Sequence, residues 1–315
     1  MGKHTGKKIG IVGCGQVGMT IAYSCVQAQL CDTLLLIGRN PIKVESEVLD
    51  LQGGIYCGVL ESANVNPVHI YGGDSTDCKD VDILVFTAGS PPEEGQTRLD
   101  NLEKTETICK DIIPDIMKSG FNGMIIVVSN PVDLVTQMIL DLSGLSKSQV
   151  IGTGTAIDTA RLRMHVANVM EIKLANTMLE GVCLGEHGDS MVIPWSQVKV
   201  NHKAITLEDI TQEQRTEIQQ KVRKEGFTIC HGKGKTNYGI AMNCVEIIKA
   251  ISKKEQSKMV ISTLLEGEYG VTGICMGVPV ILTEYGVERI VELGLEEQEL
   301  KAMQDSATVL QSMKL

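Results

Sequence analysis

The sequence has no apolar run approaching the roughly 18 residues that a membrane-spanning helix needs. It has no block of lysine or arginine either. Its 29 basic and 39 acidic residues are mixed along the chain and leave a formal charge of −10. No electrostatic footprint for nucleic acid or an anionic membrane is therefore expected. Ten cysteines are present, and none forms a C-x-x-C pair. The paired spacing of a structural zinc site is thus missing, and no metal site is expected. The first residues, Met1 to Lys8, lack the apolar segment and small-residue cleavage site of a secretion signal. The cysteines, several of them in apolar segments (Cys25, Cys244, Cys275), are accordingly expected as reduced thiols of a cytoplasmic protein. No repeat, low-complexity tract or linker interrupts the chain. What remains is 315 residues, 43% hydrophobic and 22% charged, an ordinary composition for one large or two medium domains.

Lys8 to Val12 has the form of a short buried strand. Gly13-Cys14-Gly15-Gln16-Val17-Gly18 follows, and then a helical pattern from Met19 to Gln29. Strand, G-x-G-x-x-G and helix, in that order, form a dinucleotide fingerprint. Its first glycine permits a tight turn and its second lets the backbone approach a pyrophosphate. Its third lets the helix pack on the strand, with the helix N-terminus facing the phosphate charge. A second strand, Thr33 to Ile37, ends about 20 residues past the glycines, where such sites carry an acidic ribose ligand. Here Gly38-Arg39 stands instead. The lost carboxylate would no longer repel a 2′-phosphate and the arginine would attract one. Two readings stay open: NADP is accepted beside NAD, or Arg39 points to solvent and NAD alone is used.

A helix over Pro41 to Leu51 follows, then an extended segment from Asn64 to Tyr71. Strands are expected at Val81 to Phe86, running into Thr87-Ala88-Gly89, at Met124 to Val128, running into Ser129-Asn130-Pro131-Val132-Asp133, and at Gln149 to Ile151. Between them, residues 90–98 are too rich in proline and glycine for regular structure. That loop ends in Arg98 at the start of a helix from Leu99 to Met117, an arrangement suited to a closing lid. Six strands with intervening helices give an α/β fold with a doubly wound parallel sheet, whose ligands bind at the carboxyl edge.

Gly152-Thr153-Gly154-Thr155 opens a further helix, ending at Met170. In it Asp158 and Arg161 lie three apart and share a face. In isolation they read as a surface ion pair; directly after the last strand of a nucleotide-binding sheet they read as site residues. The glycine-bracketed loop Gly185-Glu186-His187-Gly188-Asp189-Ser190 presents a histidine suited to proton exchange near neutral pH. Strands are expected within Trp195 to Ile205, and helices at Leu207 to Glu225, Gly239 to Ser252 and Leu295 to Leu315. Met259 to Ile281 has the pattern of a β-meander, with turns at Glu268-Tyr269-Gly270 and Met276-Gly277-Val278.

Taken in order, Gly13 to Gly18, Thr87-Ala88-Gly89, Thr97-Arg98-Leu99, Val128 to Asp133, Gly152 to Thr155, Asp158 to Arg163 and Gly185 to Ser190 make the chain resemble the L-lactate/malate dehydrogenase family, nearer its L-lactate branch. The resemblance implies a Rossmann-type dinucleotide-binding domain, residues 1–152, followed by an α/β substrate-binding and catalytic domain, residues 153–315. It implies a homotetramer or homodimer, a nicotinamide cofactor and a small 2-oxo/2-hydroxy acid pair, most simply pyruvate and L-lactate.

It also implies roles for individual residues. His187 would exchange the proton and Asp158 would orient its ring. Arg161 would grip the substrate carboxylate, and Arg98 would polarise the carbonyl on lid closure. Asn130, Thr236 and Pro92 would face the substrate. Gly13, Gly15, Gln16, Val17, Gly18, Gly38, Arg39, Thr87, Ala88, Gly89, Val128, Asn130 and Ile240 would hold the cofactor.

Two further departures modify the implied activity. L-lactate enzymes of the family carry Gln, and malate enzymes Arg, where this chain has Pro92. Without a cation there, malate is disfavoured, and a more apolar rim would admit branched-chain 2-oxo acids. Arg163 matches one ligand of a sugar-bisphosphate activator, but Glu180 replaces the expected histidine and would repel phosphate, so little activation is expected. A glycosidase relative of the same fold, or a non-catalytic paralogue, fits less well with an intact His187, Asp158 and Arg161.

Overall fold

The structure is a computed structural model and describes residues 6–56, 67–90, 98–173, 175, 177–253 and 255–313. Six parallel strands form its first part: β1 (Lys8–Val12), β2 (Thr33–Ile37), β3 (His69–Gly73), β4 (Ile83–Phe86), β5 (Met124–Val127) and β6 (Val150–Gly152). Their spatial order is 3-2-1-4-5-6, that of two mononucleotide-binding halves. The strands are almost wholly apolar because both faces are covered. Ile9, Ile11, Leu34, Leu36, Ile83, Val85 and Ile126 enter one core. Val12, Leu35, Ile37, Leu84, Phe86, Ile125 and Val127 enter the other.

The intervening helices are α1 (Gln16–Gln27), α2 (Pro41–Ile55), α3 (Arg98–Lys118) and α4 (Val132–Ser143). Asn40 caps α2, its Oδ1 accepting from the Ile42 and Lys43 amides at 3.1 and 3.2 Å, and Pro41 takes the first helical position, where its missing N–H costs nothing. After β6 the chain forms α5 (Ala156–Val169), three two-residue strands β7 (Leu179–Glu180), β8 (Lys199–Val200) and β9 (Lys203–Ala204), then α6 (Gln212–Lys233) and α7 (Tyr238–Ser252). It ends with β10 (Ser257–Glu266), β11 (Thr272–Thr283), β12 (Gly286–Ile290) and α8 (Glu297–Ser312). The last three strands are antiparallel and extend the first sheet to nine strands. They join through Ser262 opposite Gly152.

Three sequence expectations are corrected. Trp195–Gln197 is a single 3-10 turn, not strand. The strand character of 195–205 shrinks to β8 and β9 because Asn201 and His202 both adopt positive φ, 49° and 66°, which closes a two-residue hairpin. The helix expected from Leu207 starts instead at Gln212, where Thr211 and Gln214 form a reciprocal cap, and it runs on to Lys233, before Gly234. Finally, Met276-Gly277-Val278 is not a turn. It lies inside β11.

Gly277 is demanded there by close approach rather than by chain reversal. Its amide and carbonyl exchange hydrogen bonds with Gly185, at 2.8 and 2.9 Å. A Cβ at position 277 would stand 2.3 Å from Thr155 Oγ1 and 3.0 Å from the Gly185 carbonyl. The His187 loop is thus seated on β11 through backbone alone. Gly277→Ala is expected to cost about 1–3 kcal/mol through overpacking and to lower turnover as the loop shifts. A denaturant-unfolding midpoint matching the parent would show that the seat has slack.

Candidate active site

The carboxyl ends of the parallel strands open into one cleft of about 1290 Å³. Val17, Thr87, Gly89, Val128, Asn130, Asp158, Arg161, His187, Thr236 and Ile240 all line it. The structure therefore brings together, from six elements and their loops, most of the residues singled out in the sequence. Gly13, Gly15 and Ala88 lie in the adjoining turns, Gln16 and Gly18 in the first turn of α1, and Gly38 and Arg39 follow β2; these are not in the cleft wall. Arg98 begins α3, while its side chain and Pro92 lie outside the described residues.

The glycine-rich turn has the shape a pyrophosphate needs. Gly13 has φ of 104°, and a Cβ on Gly18 would lie 2.1 Å from the Gly13 carbonyl, whereas one on Gly15 would meet nothing within 4 Å. The turn is closed on the protein side and open at the N-terminus of α1, where unpaired amides and the helix dipole favour an anion. Thr87 Oγ1 donates to the Gly13 carbonyl at 2.8 Å, tying the turn to the end of β4. Val17, Val128 and Ile240 give the neighbouring cleft apolar walls, suited to a flat heteroaromatic ring. These residues fit a nicotinamide dinucleotide.

Across the cleft, His187 Nδ1–H donates to Asp158 Oδ2 at 2.5 Å. The other oxygen of Asp158 accepts from Arg161 Nη1 at 3.2 Å. One buried carboxylate thus fixes both cations, and the ring's Nε2 is left for another partner. Burial pushes the Asp158 carboxyl up, but the charges of His187 and Arg161 and their hydrogen bonds bring it below its ordinary value. Burial alone would lower the His187 pKa; the Asp158 carboxylate outweighs it and leaves the imidazole more basic than usual.

The loop that carries His187 is locked from two sides, and neither lock was legible beforehand. The His187 amide donates to Asp133 Oδ2 at 2.8 Å. Asp133 follows the cis Asn130–Pro131 bond, and burial pushes its carboxyl up to about 6. On the other side the Glu186 amide donates to Ser306 Oγ in α8 at 2.9 Å. Glu186 Oε2 accepts from both the amide and the hydroxyl of Ser190, at 3.1 and 2.5 Å. Asp133 stood within a quoted motif, but nothing in the sequence indicated its partner. A second carboxylate, Glu225 of α6, approaches Arg161 and His165; no motif marked it. Away from the cleft, Arg163 Nε donates to the Gly181 carbonyl at 3.0 Å. Glu180 Oε1 accepts from His202 Nδ1 at 2.9 Å.

Comparison with known proteins accords with this geometry. The family model described as lactate/malate dehydrogenase, NAD binding domain, matches residues 7–152, and the one described as lactate/malate dehydrogenase, alpha/beta C-terminal domain, matches residues 155–314. Among curated relatives, L-lactate dehydrogenase 3 of Bacillus thuringiensis subsp. konkukian is 39% identical, over 98% of this chain and 97% of its own. L-lactate dehydrogenase 2 of Enterococcus faecalis is 38% identical, over 98% and 96%. Among solved structures, the ligands-bound form of the minor L-lactate dehydrogenase from Enterococcus mundtii superposes with a TM-score of 0.91 at 37% identity, covering 98% of both chains. The chain belongs to the lactate/malate dehydrogenase family.

Proposed function

We propose that the protein is an L-2-hydroxy acid dehydrogenase that interconverts L-lactate and pyruvate with a nicotinamide cofactor. The observation that carries this reading is the shared Asp158 carboxylate, which sets a basic histidine and an arginine side by side opposite the dinucleotide turn. The names of the relatives at 37–39% identity point the same way.

A dinucleotide held by the Gly13–Gly18 turn and the Val17, Val128 and Ile240 walls supplies the hydride when bound. The protein's own part is positioning and proton transfer. Arg161 grips the carboxylate of the 2-oxo acid, a geometry that a planar guanidinium suits and an ammonium does not. Asn130 donates toward the reacting oxygen. Arg98, at the start of α3 and next to residues 91–97, stabilises negative charge on that oxygen. His187 Nε2–H gives it a proton in reduction, and the neutral ring takes a proton from the hydroxyl in oxidation. Asp158 keeps Nδ1 protonated so that Nε2 is the exchanging atom.

Gly38 and Arg39 support NADP being accepted beside NAD. Arg39 is exposed just past the end of β2 and next to the N-terminus of α2, where the helix dipole, rather than the amides that Asn40 already takes, favours a 2′-phosphate. A homotetramer or homodimer in the cytoplasm completes the reading. Exposed Tyr23, Leu49 and Met242 on α1, α2 and α7, with Tyr56 just past α2, supply apolar surface for self-association, and among the described residues no helix is long and apolar enough to cross a membrane.

Three measurements check the reading. Pyruvate should be reduced with a higher kcat/KM than oxaloacetate. 2-Oxoisocaproate as the better substrate would replace lactate by a branched-chain acid, and oxaloacetate as the best would overturn both. NADPH should support turnover within about tenfold of NADH, that is, with under about 1.4 kcal/mol separating them; a preference for NADH beyond about a thousandfold would leave Arg39 without a role. His187→Ala should lose about 10²–10⁴-fold in turnover while still binding NADH.

The sign of the pH dependence follows from the raised His187 pKa. Reduction needs the charged ring, so its kcat/KM is level at low pH and falls as pH rises through that pKa. Oxidation needs the neutral ring and rises over the same window. Asp158→Asn removes the group that raises the pKa, and should move the falling limb of reduction to lower pH. A limb that stays in place would show that His187 does not set it.

A further inference from the structure

Arg161 has more anionic neighbours than its proposed task needs. Its side chain is 11% exposed. Nη1 is bound to Asp158 at 3.2 Å. Nε faces Glu225 Oε1 at 3.6 Å, an ion pair too long to be a hydrogen bond. Glu225 comes from α6, and the residue after it is Gly226. A Cβ at 226 would lie 3.6 and 3.8 Å from Nη1 and Nη2, so the α6 backbone packs directly against the guanidinium. The other oxygen of Glu225 has a firmer partner, His165 Nε2 at 2.9 Å. His165 lies one turn beyond Arg161 on α5. An unbroken series of polar contacts thus runs from His187 through Asp158, Arg161 and Glu225 to His165.

The two carboxylates on Arg161 are not equivalent. Asp158 is 6% exposed and committed to His187 as well. Removing it from Arg161 would strand a buried charge. Glu225 is 27% exposed, bound loosely to Arg161 and tightly to His165. When a substrate carboxylate arrives at the same guanidinium, Glu225 is the anion that gives way, and it already has somewhere to go.

We propose that Glu225 is the resident counter-ion of Arg161, which the substrate carboxylate displaces and which His165 holds clear. Glu225 is then a positioning residue that sets substrate affinity. It lowers the affinity of the cleft for any monoanion by competing for the anchor, and His165 limits that competition. The inference rests on the reading of Arg161 as the carboxylate anchor.

The test is a small cycle of variants, read as KM for pyruvate and as the dissociation constant of oxamate, a non-reducible analogue, from the NADH-loaded enzyme. Glu225→Gln keeps the shape and removes the charge. It should lower both constants by about fivefold, the size of a partly exposed ion pair, with the change falling on KM rather than on kcat. His165→Phe frees Glu225 to close on Arg161 and should raise both constants by a similar factor. The double variant should behave like Glu225→Gln, because His165 acts only through the carboxylate.

Glu225→Gln leaving KM unchanged or raising it would overturn the proposal. So would the two single variants moving KM in the same direction, the mark of lost packing. If His165→Phe does not fold, Glu225→Gln alone decides. Arg161→Lys separates the two layers of the argument. It should weaken oxamate by at least tenfold, as expected for lost charge-assisted hydrogen bonds. Unchanged oxamate binding in Arg161→Lys would refute the anchor itself. A weakened Arg161→Lys beside an unaltered Glu225→Gln would refute only the counter-ion.

Discussion

The Asp158 carboxylate is the interaction on which the rest of the site depends. It is 6% exposed, and a buried charge persists only when its lone pairs are occupied by good donors. One oxygen takes the His187 ring and the other takes Arg161. The same residue therefore fixes the ring tautomer, raises the ring's basicity and aims the guanidinium. These are not separable functions. A group moved to serve one would fail the others, because the two donors sit on different elements, α5 and the loop before β8, and this carboxylate bonds both.

The charge balance around it links proton and substrate binding. With His187 neutral, Asp158 and Glu225 outnumber Arg161. A substrate carboxylate adds another negative charge within reach of the ring. Protonation of His187 offsets it. On the proposed mechanism, arrival of a 2-oxo acid at Arg161 and charging of the ring would favour each other, which is the pairing that reduction requires. In the other direction the same mechanism has the alcohol bind to the neutral ring, which takes up its proton as the oxo acid forms. Asp133, whose carboxyl burial pushes up to about 6, lies under the same loop and bonds its backbone rather than its ring. It ties the loop to α4 without competing for Nε2.

The sequence told a good deal about the frame and less about the site. Five strands of the parallel sheet were legible because both their faces are buried, so each is an apolar run ended by Gly, Asn or Thr, whereas the edge strand β3 is only half apolar. The Gly13–Gly18 turn was legible because its three glycines answer three different steric demands. Long-range closeness was not legible. Gly277 resembled a turn because a glycine between apolar residues gives no sign of the Thr155 hydroxyl and Gly185 carbonyl that press on it from 122 and 92 residues away in sequence. Glu225 resembled one more charge on a solvated helix, since α6 is polar over most of its length. Its meaning comes from α5 packing beside it, and no local pattern records that. Ser306, on the final helix, was invisible for the same reason: its hydroxyl serves a loop 120 residues earlier.

The end of β2 shows a local motif and its packing acting together. Replacing Gly38 by an acidic residue would not simply restore a ribose ligand. A Cβ there would approach Val44 Cγ2 to 2.9 Å and Cys14 Sγ to 3.4 Å, and a valine near the start of a helix has little rotamer freedom to retreat. The close packing of α2 on the turn also buries Cys14, whose thiol donates to the Ile37 carbonyl at 3.6 Å and is pushed up to about 11 by that burial. The floor of the adenosine end is therefore built around the absence of a side chain at 38. With the floor so closed, the proposed NADP reading assigns recognition of the ribose phosphate to the next groups in line, Arg39 and the first turn of α2 with Lys43. Both are positive, one by side chain and one by side chain and helix dipole together. On the proposed reading, a cofactor with a phosphate on that ribose would meet the charge this packing leaves exposed, and one without it would lose only the acidic ligand that Gly38 replaces.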